Sequence, residues 1–542
     1  MDEAAGPVPD LRSPSGIRSR QGWRRICGRS PDSFRKRPSG TGRFPIRKGE
    51  GSLHTLRALR LIRGGLGLAP IQKIRLLPGG GLQAAAKRKR ADRRNNPPWQ
   101  RERGKDPYLM MREWYEKKRV TPERAVAEIA DGSTIVHGMV CGEPPALLGA
   151  LAARLRAGDL KKIRIFSLLP GKHASATYLA PDLSDCVDSF TWFVSPADRN
   201  LVRVGLNYFV PNEFHQVPRF IREFMDVDVT LTTVSPMDKN GFFTFGAVND
   251  YISTAARVCR KLIVEVNPLM PRVFGDSLLH ISEVDALIEH EAPMLESRPA
   301  EAKPEAAVIG RLVAAEVPDE ATIQVGFGGI PNAVCEYLLD RKDLGIHSEL
   351  FCPGLAELIK KGVATGRKKT FHPRKHLFTN VLGDRELYEF VHDNPSCESY
   401  PVSYINHPAN IARQDQFISI NATIEVDLLG QCNSESLDGA QYSGTGGQLD
   451  FVRGAFDSKG GKSIIAFYST ARDGKVSRIV PRLRPGAVVT VPRTATHYLA
   501  TEYGIVNLKG KSTRDRALAI ISLAHPKFRD DLLREAENQY LI

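Results

Sequence analysis

The chain has 542 residues, of which 42% are hydrophobic and 25% charged, an ordinary composition for a globular protein of roughly two to four domains. A net charge of +15 would suggest nucleic-acid binding, but the basic excess is confined to one end. Residues 1–105 carry 26 Lys/Arg and 7 Asp/Glu, and the remaining 50 basic and 54 acidic residues leave 106–542 slightly acidic. Because 106–542 has no basic groove interleaved with aromatic residues, the sequence argues against a nucleic-acid partner.

Residues 1–105 form a leader rich in Arg, Gly and Pro without clear periodicity, which predicts disorder. Two interpretations are open: a mitochondrial transit peptide, and a misassigned start with the protein beginning near Tyr108. The acidic opening MDEAAGPVPD disfavours a transit peptide. We therefore predict a cytoplasmic protein, mitochondrial if the leader is a transit peptide. No apolar run reaches the ~18 residues that a membrane-spanning helix needs.

Several chemistries lack their sequence signatures. The eight cysteines are scattered singly, with no CxxC and no Cys/His pair at metal spacing, which predicts no metal site and suits a reducing compartment. There is no GxxxxGK[ST] motif, which excludes a P-loop. GxSxG, HExxH and Ser/Lys hydrolase signatures are missing as well, which excludes those hydrolase mechanisms.

Two pairs of segments in the two halves of the chain resemble each other. Residues 120–155 and 315–344 each show an acidic turn, an apolar strand, a Gly/Pro turn and an apolar-faced helix, and Thr121 is a candidate N-cap. Residues 235–267 and 444–469 each show a glycine turn, a helix and a strand that opens with lysine. The matches occur in the same order, which predicts two similar open α/β domains, although all α/β units share part of this pattern.

The two domains are predicted at 106–295 and 305–542, joined by a Pro/Glu-rich linker over 291–307. Functional sites in such folds lie at the carboxyl ends of the strands and often between domains.

A glycine turn over 325–334, VGFGGIPNAV, stands between a predicted strand, TIQV, and a helix. Glycines let backbone amides approach a ligand, and the helix N-terminus after the turn favours anions. A dinucleotide fingerprint needs glycine where Pro331 stands, so NAD is a poor match. A tight turn with no ligand is the alternative.

Glu349 lies in the stretch LGIHSEL, about 20 residues after that turn. If IHSEL is the next strand and its end, Glu349 emerges at the same sheet edge as the glycine turn, where a carboxylate can act as a nucleophile. A helix-capping or solvated glutamate fits the same position.

Further candidates lie downstream. GTGGQLDF, residues 444–451, offers amides to an anion or an oxyanion, or forms a simple turn. ISINATIEV, residues 418–426, alternates apolar and polar residues and predicts one strand with one buried face, on which Asn421 either binds substrate or stitches the sheet. Arg472 and Lys475 suit a phosphate but are equally explained as solvated, and Glu502 stands beside a turn.

Together these stretches resemble the acetyl-CoA hydrolase/transferase family, the class I CoA-transferases, and within it most closely the 4-hydroxybutyrate (butyrate-type) CoA-transferases. The resemblance covers most of the chain after the leader, and its motifs are SPMDKNGFFTFG, GFGGIPNAV, LGIHSEL, ISINATIEVDLLGQ, SGTGGQLDF, KGGKSI, ATEYG and AHPKFRDDL. It implies the class I CoA-transferase fold (NagB/RpiA-like), two open α/β domains with the active site at their interface.

The resemblance also implies residue roles. Glu349 is the covalent residue, which forms an acyl-glutamyl anhydride and then a glutamyl-CoA thioester in a ping-pong reaction. Backbone amides near Ile330 and Gly447 stabilise the oxyanions, and Glu502 has a positioning role. Coenzyme A, the acyl-CoA substrate, binds along the glycine turn, at Asn421, Ile424 and Gly447, and at a cation. The turn contributes Gly326, Phe327, Gly328, Gly329 and Ile330. The cation is Arg472, where relatives often carry lysine, or alternatively Lys475.

The predicted function is CoA transfer between an acyl-CoA and a small carboxylate, without metal, nucleic acid or membrane, in a homodimer or higher homo-oligomer. A hydrolase on the same scaffold and a CoA-binding module without catalysis are the alternatives. The acceptor is open among 4-hydroxybutyrate, butyrate, acetate, propionate and succinate.

Overall fold

Short apolar runs build two mostly parallel sheets in the computed structural model, which describes residues 107–297, 303–326 and 328–542. The described residues belong to one compact unit. The predictions made for the leader, residues 1–105, and for Phe327 lie outside the described residues. All seven described cysteines are free thiols, and six of them are buried.

Ten strands precede the predicted linker. They are β1 Thr134–His137, β2 Ile163–Ser167, β3 Val187–Thr191, β4 Asn207–Phe209, β5 Val229–Val234, β6 Phe242–Thr244, β7 Lys261–Val266, β8 Phe274–Gly275, β9 Leu278–His280 and β10 Ala286–Glu289. Seven of them form a fully parallel sheet in the order β10-β7-β5-β1-β2-β3-β4. Strands β1 and β5 are buried along their whole length, as parallel strands covered on both faces must be.

Seven helices belong to this first half: α1 Pro107–Lys118, α2 Pro122–Val126, α3 Pro145–Ala157, α4 Lys172–Ala176, α5 Arg199–Arg203, α6 Val217–Glu223 and α7 Ile252–Val258. The side chain of Thr121 accepts a hydrogen bond from the Arg124 amide at the start of α2, so its prediction as an N-cap is confirmed. Helix α3 follows β1 across a Gly/Pro turn, as predicted.

Seventeen strands follow. They are β11 Thr322–Val325, β12 Gly345–Ile346, β13 Leu350–Phe351, β14 His376–Phe378, β15 Asn380–Val381, β16 Cys397–Ser399, β17 Phe417–Asn421, β18 Glu425–Asp427, β19 Cys432–Asn433, β20 Ser436–Leu437, β21 Ala440–Gln441, β22 Lys462–Ala466, β23 Thr470–Ala471, β24 Val476–Ser477, β25 Ile479–Val480, β26 Tyr498–Thr501 and β27 Gly504–Asn507. The second large sheet has the order β12-β11-β17-β22-β26-β27, and only its last pair is antiparallel.

Nine helices belong to this half: α8 Pro304–Ala315, α9 Gly329–Tyr337, α10 Pro353–Lys360, α11 Arg385–Val391, α12 Val402–Ile405, α13 Pro408–Ile411, α14 Gln448–Asp457, α15 Thr513–Ser522 and α16 Arg529–Asn538. Helix α8 begins at Pro304, so the last four residues of the predicted linker are helical rather than extended.

The two large sheets share a strand order. The run β2-β1-β5-β7-β10 in the first sheet corresponds to β12-β11-β17-β22-β26 in the second, and every neighbour in both runs is parallel. The prediction of two similar open α/β arrangements is therefore confirmed.

The prediction of one strand over 418–426 with one buried face is wrong. The chain forms β17, leaves the sheet, and then forms β18 in a different small sheet. Residues 417–420 are buried on both faces, because β17 lies in the middle of a parallel sheet. The small polar side chain of Ser419 fits this buried position and mimics the alternation of a half-exposed strand.

The largest hydrophobic core cluster spans both halves, with Val136 and Val264 from the first and Ile323 and Ile464 from the second. Strand β8 of the first half pairs with β16 of the second, which adds a backbone connection. Among the described residues, no helix is long and apolar enough to cross a membrane.

Candidate active site

Glu349 lies just beyond the carboxyl end of β12, and the glycine turn begins just beyond the end of the neighbouring strand β11. Because the two strands are parallel, both segments emerge at the same edge of the second sheet. The backbone of Glu349 is fixed there, since its carbonyl oxygen accepts hydrogen bonds from the amides of Thr379 (3.1 Å) and Asn380 (3.0 Å).

A cavity of about 100 Å³ lies beside Glu349, and both halves of the chain line it. The first half contributes Met139, Val140, Leu168, Leu169, Phe193, Phe214 and Val248, and the second half contributes Glu349, Leu350, Asn380, Val381, Leu382 and Gly446. The segments after β1, β2 and β3 therefore face the segment after β12. The carboxyl ends of the two sheets meet at this cavity, with Glu349 as the charged residue of the lining.

The Glu349 carboxylate has two neutral hydrogen-bond donors. The Asn406 side-chain amide donates to Oε2 at 2.5 Å, and the Gly447 backbone amide also donates to the carboxylate. Burial raises the pKa of Glu349 to about 7, and the charges of Asp450 and Asp250 add to the rise, while the two donors oppose it. At neutral pH the group therefore titrates between acid and carboxylate, and the residue as a whole is half-buried.

Gly447 lies against the Glu349 carboxylate. A Cβ atom at this position would overlap both the Glu349 carboxylate and the Asn406 amide. The backbone of Gly447 has φ −92° and ψ 8°, a conformation that non-glycine residues also adopt. Glycine is therefore required here by close approach rather than by conformation.

A hydrogen-bonded pair between a half-buried histidine and a buried aspartate ties the two halves together. His215, from the first half, binds Asp450 of α14 with a side-chain distance of 2.7 Å, and its backbone amide donates to the same carboxylate. Burial raises the pKa of Asp450 more than His215 lowers it. Among the described residues, Glu213, His215 and Asp450 are the group whose spacing would suit a cation. The hydrogen bond between His215 and Asp450 already explains why these side chains lie close together. The predicted absence of a metal stays a prediction.

The predicted glycine turn forms the start of α9. Gly328 has φ 137° and ψ −177°, a region that is essentially restricted to glycine. An added Cβ would meet its nearest atoms at 3.6 Å at Gly326 and 3.9 Å at Gly328, which is ordinary van der Waals contact, so close approach does not require glycine at either position. Ile330 is buried in the first turn of α9, and no described contact joins it to Glu349.

The other predicted contact residues lie at neighbouring strand ends. Asn421, at the end of β17, exchanges two side-chain hydrogen bonds with Gln324 at 3.1 and 3.2 Å, which favours the sheet-stitching alternative. Ile424 is half-buried, and its amide donates to Asn433. Arg472 and Lys475 are exposed on the tight turn between β23 and β24.

Glu502 lies in the turn between β26 and β27, where it accepts hydrogen bonds from the backbone amide and the hydroxyl of Ser469. These contacts fix the turn next to the β22–β23 connection. No described contact joins Glu502 to Glu349. Its positioning role stays a prediction.

Sequence reasoning missed four polar residues around the carboxylate, namely Asn406, Asp450, Asp250 and Asn380. Asp450 stands inside GTGGQLDF but was not distinguished from a first-turn helix residue. Asn406 follows a four-residue helix, with no pattern that points to a site. Asp250 and Asn380 meet only because strand β15 brings residues 380–381 beside the segment at Val248.

Comparison with known proteins identifies the family. Residues 98–296 match the acetyl-CoA hydrolase/transferase N-terminal domain, and residues 383–536 match its C-terminal domain. The succinyl-CoA:cyclohexane-1-carboxylate CoA transferase of Geobacter metallireducens is 43% identical over 422 residues, which cover 78% of this chain and 95% of the relative. The 4-hydroxybutyrate coenzyme A transferase of Clostridium kluyveri is 42% identical, over 79% of this chain and 100% of the relative.

Solved structures of related proteins support the same family. RipA from Yersinia pestis has 48% sequence identity and a TM-score of 0.78, over 80% of this chain and 100% of that one. A 4-hydroxybutyrate CoA-transferase from Porphyromonas gingivalis has 35% identity and a TM-score of 0.69, over 79% of this chain and 99% of that one. The chain belongs to the acetyl-CoA hydrolase/transferase family, which confirms the resemblance read from the motifs.

Proposed function

We propose that the protein transfers coenzyme A between an acyl-CoA and a small carboxylate, with Glu349 as the covalent nucleophile. One observation carries the proposal: a desolvated carboxylate, held by Asn406 and Gly447, faces a cavity between the two sheets. Several curated relatives are named CoA-transferases, which confirms the enzyme class, an acyl-CoA:carboxylate CoA-transferase.

In the first half-reaction, an oxygen of Glu349 attacks the thioester carbonyl carbon. A C–O bond forms and the C–S bond breaks. The CoA thiolate departs, and the products of this step are free thiolate and an acyl-glutamyl anhydride. The thiolate then attacks the glutamyl carbonyl of the anhydride, which releases the original acyl group as a free carboxylate. Glu349 is left as a glutamyl-CoA thioester, so one difficult exchange is divided into easier steps.

In the second half-reaction, the acceptor carboxylate attacks the glutamyl-CoA carbonyl and expels the thiolate. The thiolate attacks the acceptor side of the new anhydride, which yields the new acyl-CoA and restores the Glu349 carboxylate. Bonds and charges balance without a proton donor or a metal, because every leaving group is a thiolate or a carboxylate.

The surroundings of Glu349 suit this chemistry. Burial removes water that would otherwise stabilise the carboxylate and hydrolyse the anhydride. The Gly447 amide lies at the reacting oxygens and is positioned to stabilise an oxyanion. We propose the same oxyanion-stabilising role for the backbone amide of Ile330, at the start of α9. This role requires the amide to move closer to Glu349 when substrate binds.

We place coenzyme A along the glycine turn, Gly326 and Phe327 to Ile330, because backbone amides at the start of a nine-residue helix favour phosphate oxygens. Ile424, Gly447 and the exposed cations Arg472 and Lys475 complete the proposed binding surface. Asn421 is a weaker candidate, since its amide is already paired with Gln324. Glu502 is proposed to hold the β26–β27 turn beside this surface through its hydrogen bonds to Ser469.

The decisive experiment traps the intermediate. Wild-type protein is incubated with acyl-CoA alone, reduced with borohydride and digested, and the peptide that contains Glu349 is examined by mass spectrometry. We expect the glutamyl-CoA thioester to be reduced to the corresponding alcohol at Glu349. Fully active protein with no modified peptide, or with modification at another residue, would refute the covalent role.

The matched variants are Glu349→Gln and Glu357→Gln. Glu357 is an exposed glutamate on the nearby helix α10 and serves as the control. We expect Glu349→Gln to lower the transfer rate by at least ~10⁴-fold, since a covalent catalytic residue is removed, while the control keeps wild-type activity. Rapid loss of acyl-CoA without any carboxylate acceptor would replace the transferase assignment by a hydrolase.

A further inference from the structure

We propose that the cavity beside Glu349 selects short, unsubstituted aliphatic acyl chains and rejects chains that carry a distal hydroxyl or carboxylate. The inference rests on the proposed function, because it assigns the cavity to the acyl group that Glu349 attacks. It narrows the substrate class from small carboxylates in general to apolar monocarboxylates.

The chemistry of the lining carries the proposal. Ten of the thirteen lining residues have apolar side chains, and Gly446 presents only its backbone. The polar exceptions are Glu349, which is the reacting group, and Asn380. In the orientation that satisfies its hydrogen bonds, the Asn380 amide donates to Thr379 and to the buried Asp250. The described lining therefore offers a distal polar group no partner beyond these two.

The apolar wall opposite Glu349 is also held in place. Val140 and Leu169 have φ values of 46° and 48°, a left-handed conformation that non-glycine residues rarely adopt and β-branched residues almost never. Such conformations persist only where surrounding structure imposes them, and they concentrate at functional sites. The Leu169 amide donates to the Phe193 carbonyl at 2.9 Å, which links two lining residues directly. The surrounding structure therefore holds the backbone of Val140 and Leu169 so that their apolar side chains line the cavity.

The size of the cavity limits the chain length. Its volume is about 100 Å³. An engineered cavity of ~150 Å³ in an unrelated protein binds benzene, so by proportion this cavity takes on the order of four carbon atoms. Butyrate and its near neighbours match that size.

The discrimination follows from desolvation. A distal hydroxyl would exchange its water for at most one partner, the Asn380 side chain, and in an otherwise apolar pocket we expect kcat/KM to fall by roughly 10- to 100-fold. A second carboxylate would be buried as an unpaired charge near Glu349, so we expect a loss of at least ~10³-fold. Both losses concern transition-state binding and appear in kcat/KM.

The test compares butyrate, 4-hydroxybutyrate and succinate as acceptors for the wild-type protein with acetyl-CoA as the donor. We expect kcat/KM to fall in that order by the factors above. Succinate or 4-hydroxybutyrate used as well as butyrate would overturn the inference and leave the proposed function intact. Lack of transfer to every acceptor would instead refute the proposed function, so the two failures are distinguishable.

A substitution at Leu169 tests whether the cavity wall sets the preference for butyrate. Leu169→Asn places an amide at the cavity, and asparagine tolerates the left-handed backbone at this position. We expect the preference for butyrate over 4-hydroxybutyrate to fall at least ~10-fold. The control is Leu339→Asn, an exposed leucine outside the cavity, which should leave the preference unchanged. An unchanged preference in Leu169→Asn would refute the role of this wall, and the wild-type comparison decides the inference if the variant does not fold.

Discussion

Glu349, the proposed nucleophile, carries a cost in stability. Its carboxylate is desolvated, and its two hydrogen-bond donors, Asn406 and Gly447, are neutral. The glutamate was predictable, because it stands at a strand end after a glycine turn in a recognisable order of motifs. Asn406 was not, since it lies 57 residues further along the chain and only the fold brings the two together.

The raised pKa of Glu349 predicts a pH-dependent gain in stability for Glu349→Gln. Below pH 4.5 the glutamate is protonated in both the folded and the unfolded chain, so the variant and the wild type have equal stability. Between about 4.5 and 7 the folded chain holds a proton that the unfolded chain has released, so the wild type loses stability as pH rises. We expect a difference of up to ~3 kcal/mol above pH 7.

Urea denaturation of both proteins at pH 4.5 and pH 8 measures this difference, with Glu357→Gln as the exposed control. Equal stabilities of Glu349→Gln and wild type at pH 8 would show that the carboxylate is well solvated. A gain of the same size at both pH values would trace the effect to packing rather than to charge.

At the scale of elements, the start of α14 brings a backbone amide to the Glu349 carboxylate. The sequence predicted the helix after the second glycine turn and the strand before the first, because both have simple signals in glycine and in β-branched residues. It did not predict the break after β17, since a buried serine imitates the alternation of a half-exposed strand.

Gly447→Ala tests the close approach of α14. The added Cβ would overlap the Glu349 carboxylate, and we expect a fall in kcat of ~10²-fold or more, since displacements of about 1 Å at a reacting centre have effects of this size.

The control is Gly149→Ala in the middle of α3, where no atom lies within 4 Å of the new Cβ. It should keep full activity and gain ~0.5–1 kcal/mol of stability from the lower entropy of the unfolded chain. Full activity in Gly447→Ala would show that the amide and the carboxylate are further apart than the structure places them.

At the scale of the whole molecule, the two sheets share the largest hydrophobic core cluster and the His215–Asp450 pair. The sequence predicted two similar halves from their repeated patterns. Residue patterns alone, without the family resemblance, could not predict that they share a core, because core contacts between distant segments leave no periodic signal in a single chain. The boundaries of the two domains at 106–295 and 305–542 remain predictions.

We expect the two halves to unfold together. Leu151→Ala removes a fully buried side chain from a cluster that belongs to the first half alone, at a cost of ~2–5 kcal/mol. Hydrogen exchange in denaturant, followed by peptide, should then show the same lowered midpoint in β7 of the first half and β22 of the second. Loss of protection confined to the first half would show that the halves are independent.

The matching strand order of the two sheets has a consequence for stoichiometry. Strands β2 and β12 hold corresponding places, and each is followed within three residues by a side chain at the cavity, Leu169 in one case and Glu349 in the other. Two equivalent positions of the scaffold thus present an apolar side chain in the first half and a carboxylate in the second. Each chain is expected to form one glutamyl-CoA equivalent, and not two, when it is charged with acyl-CoA.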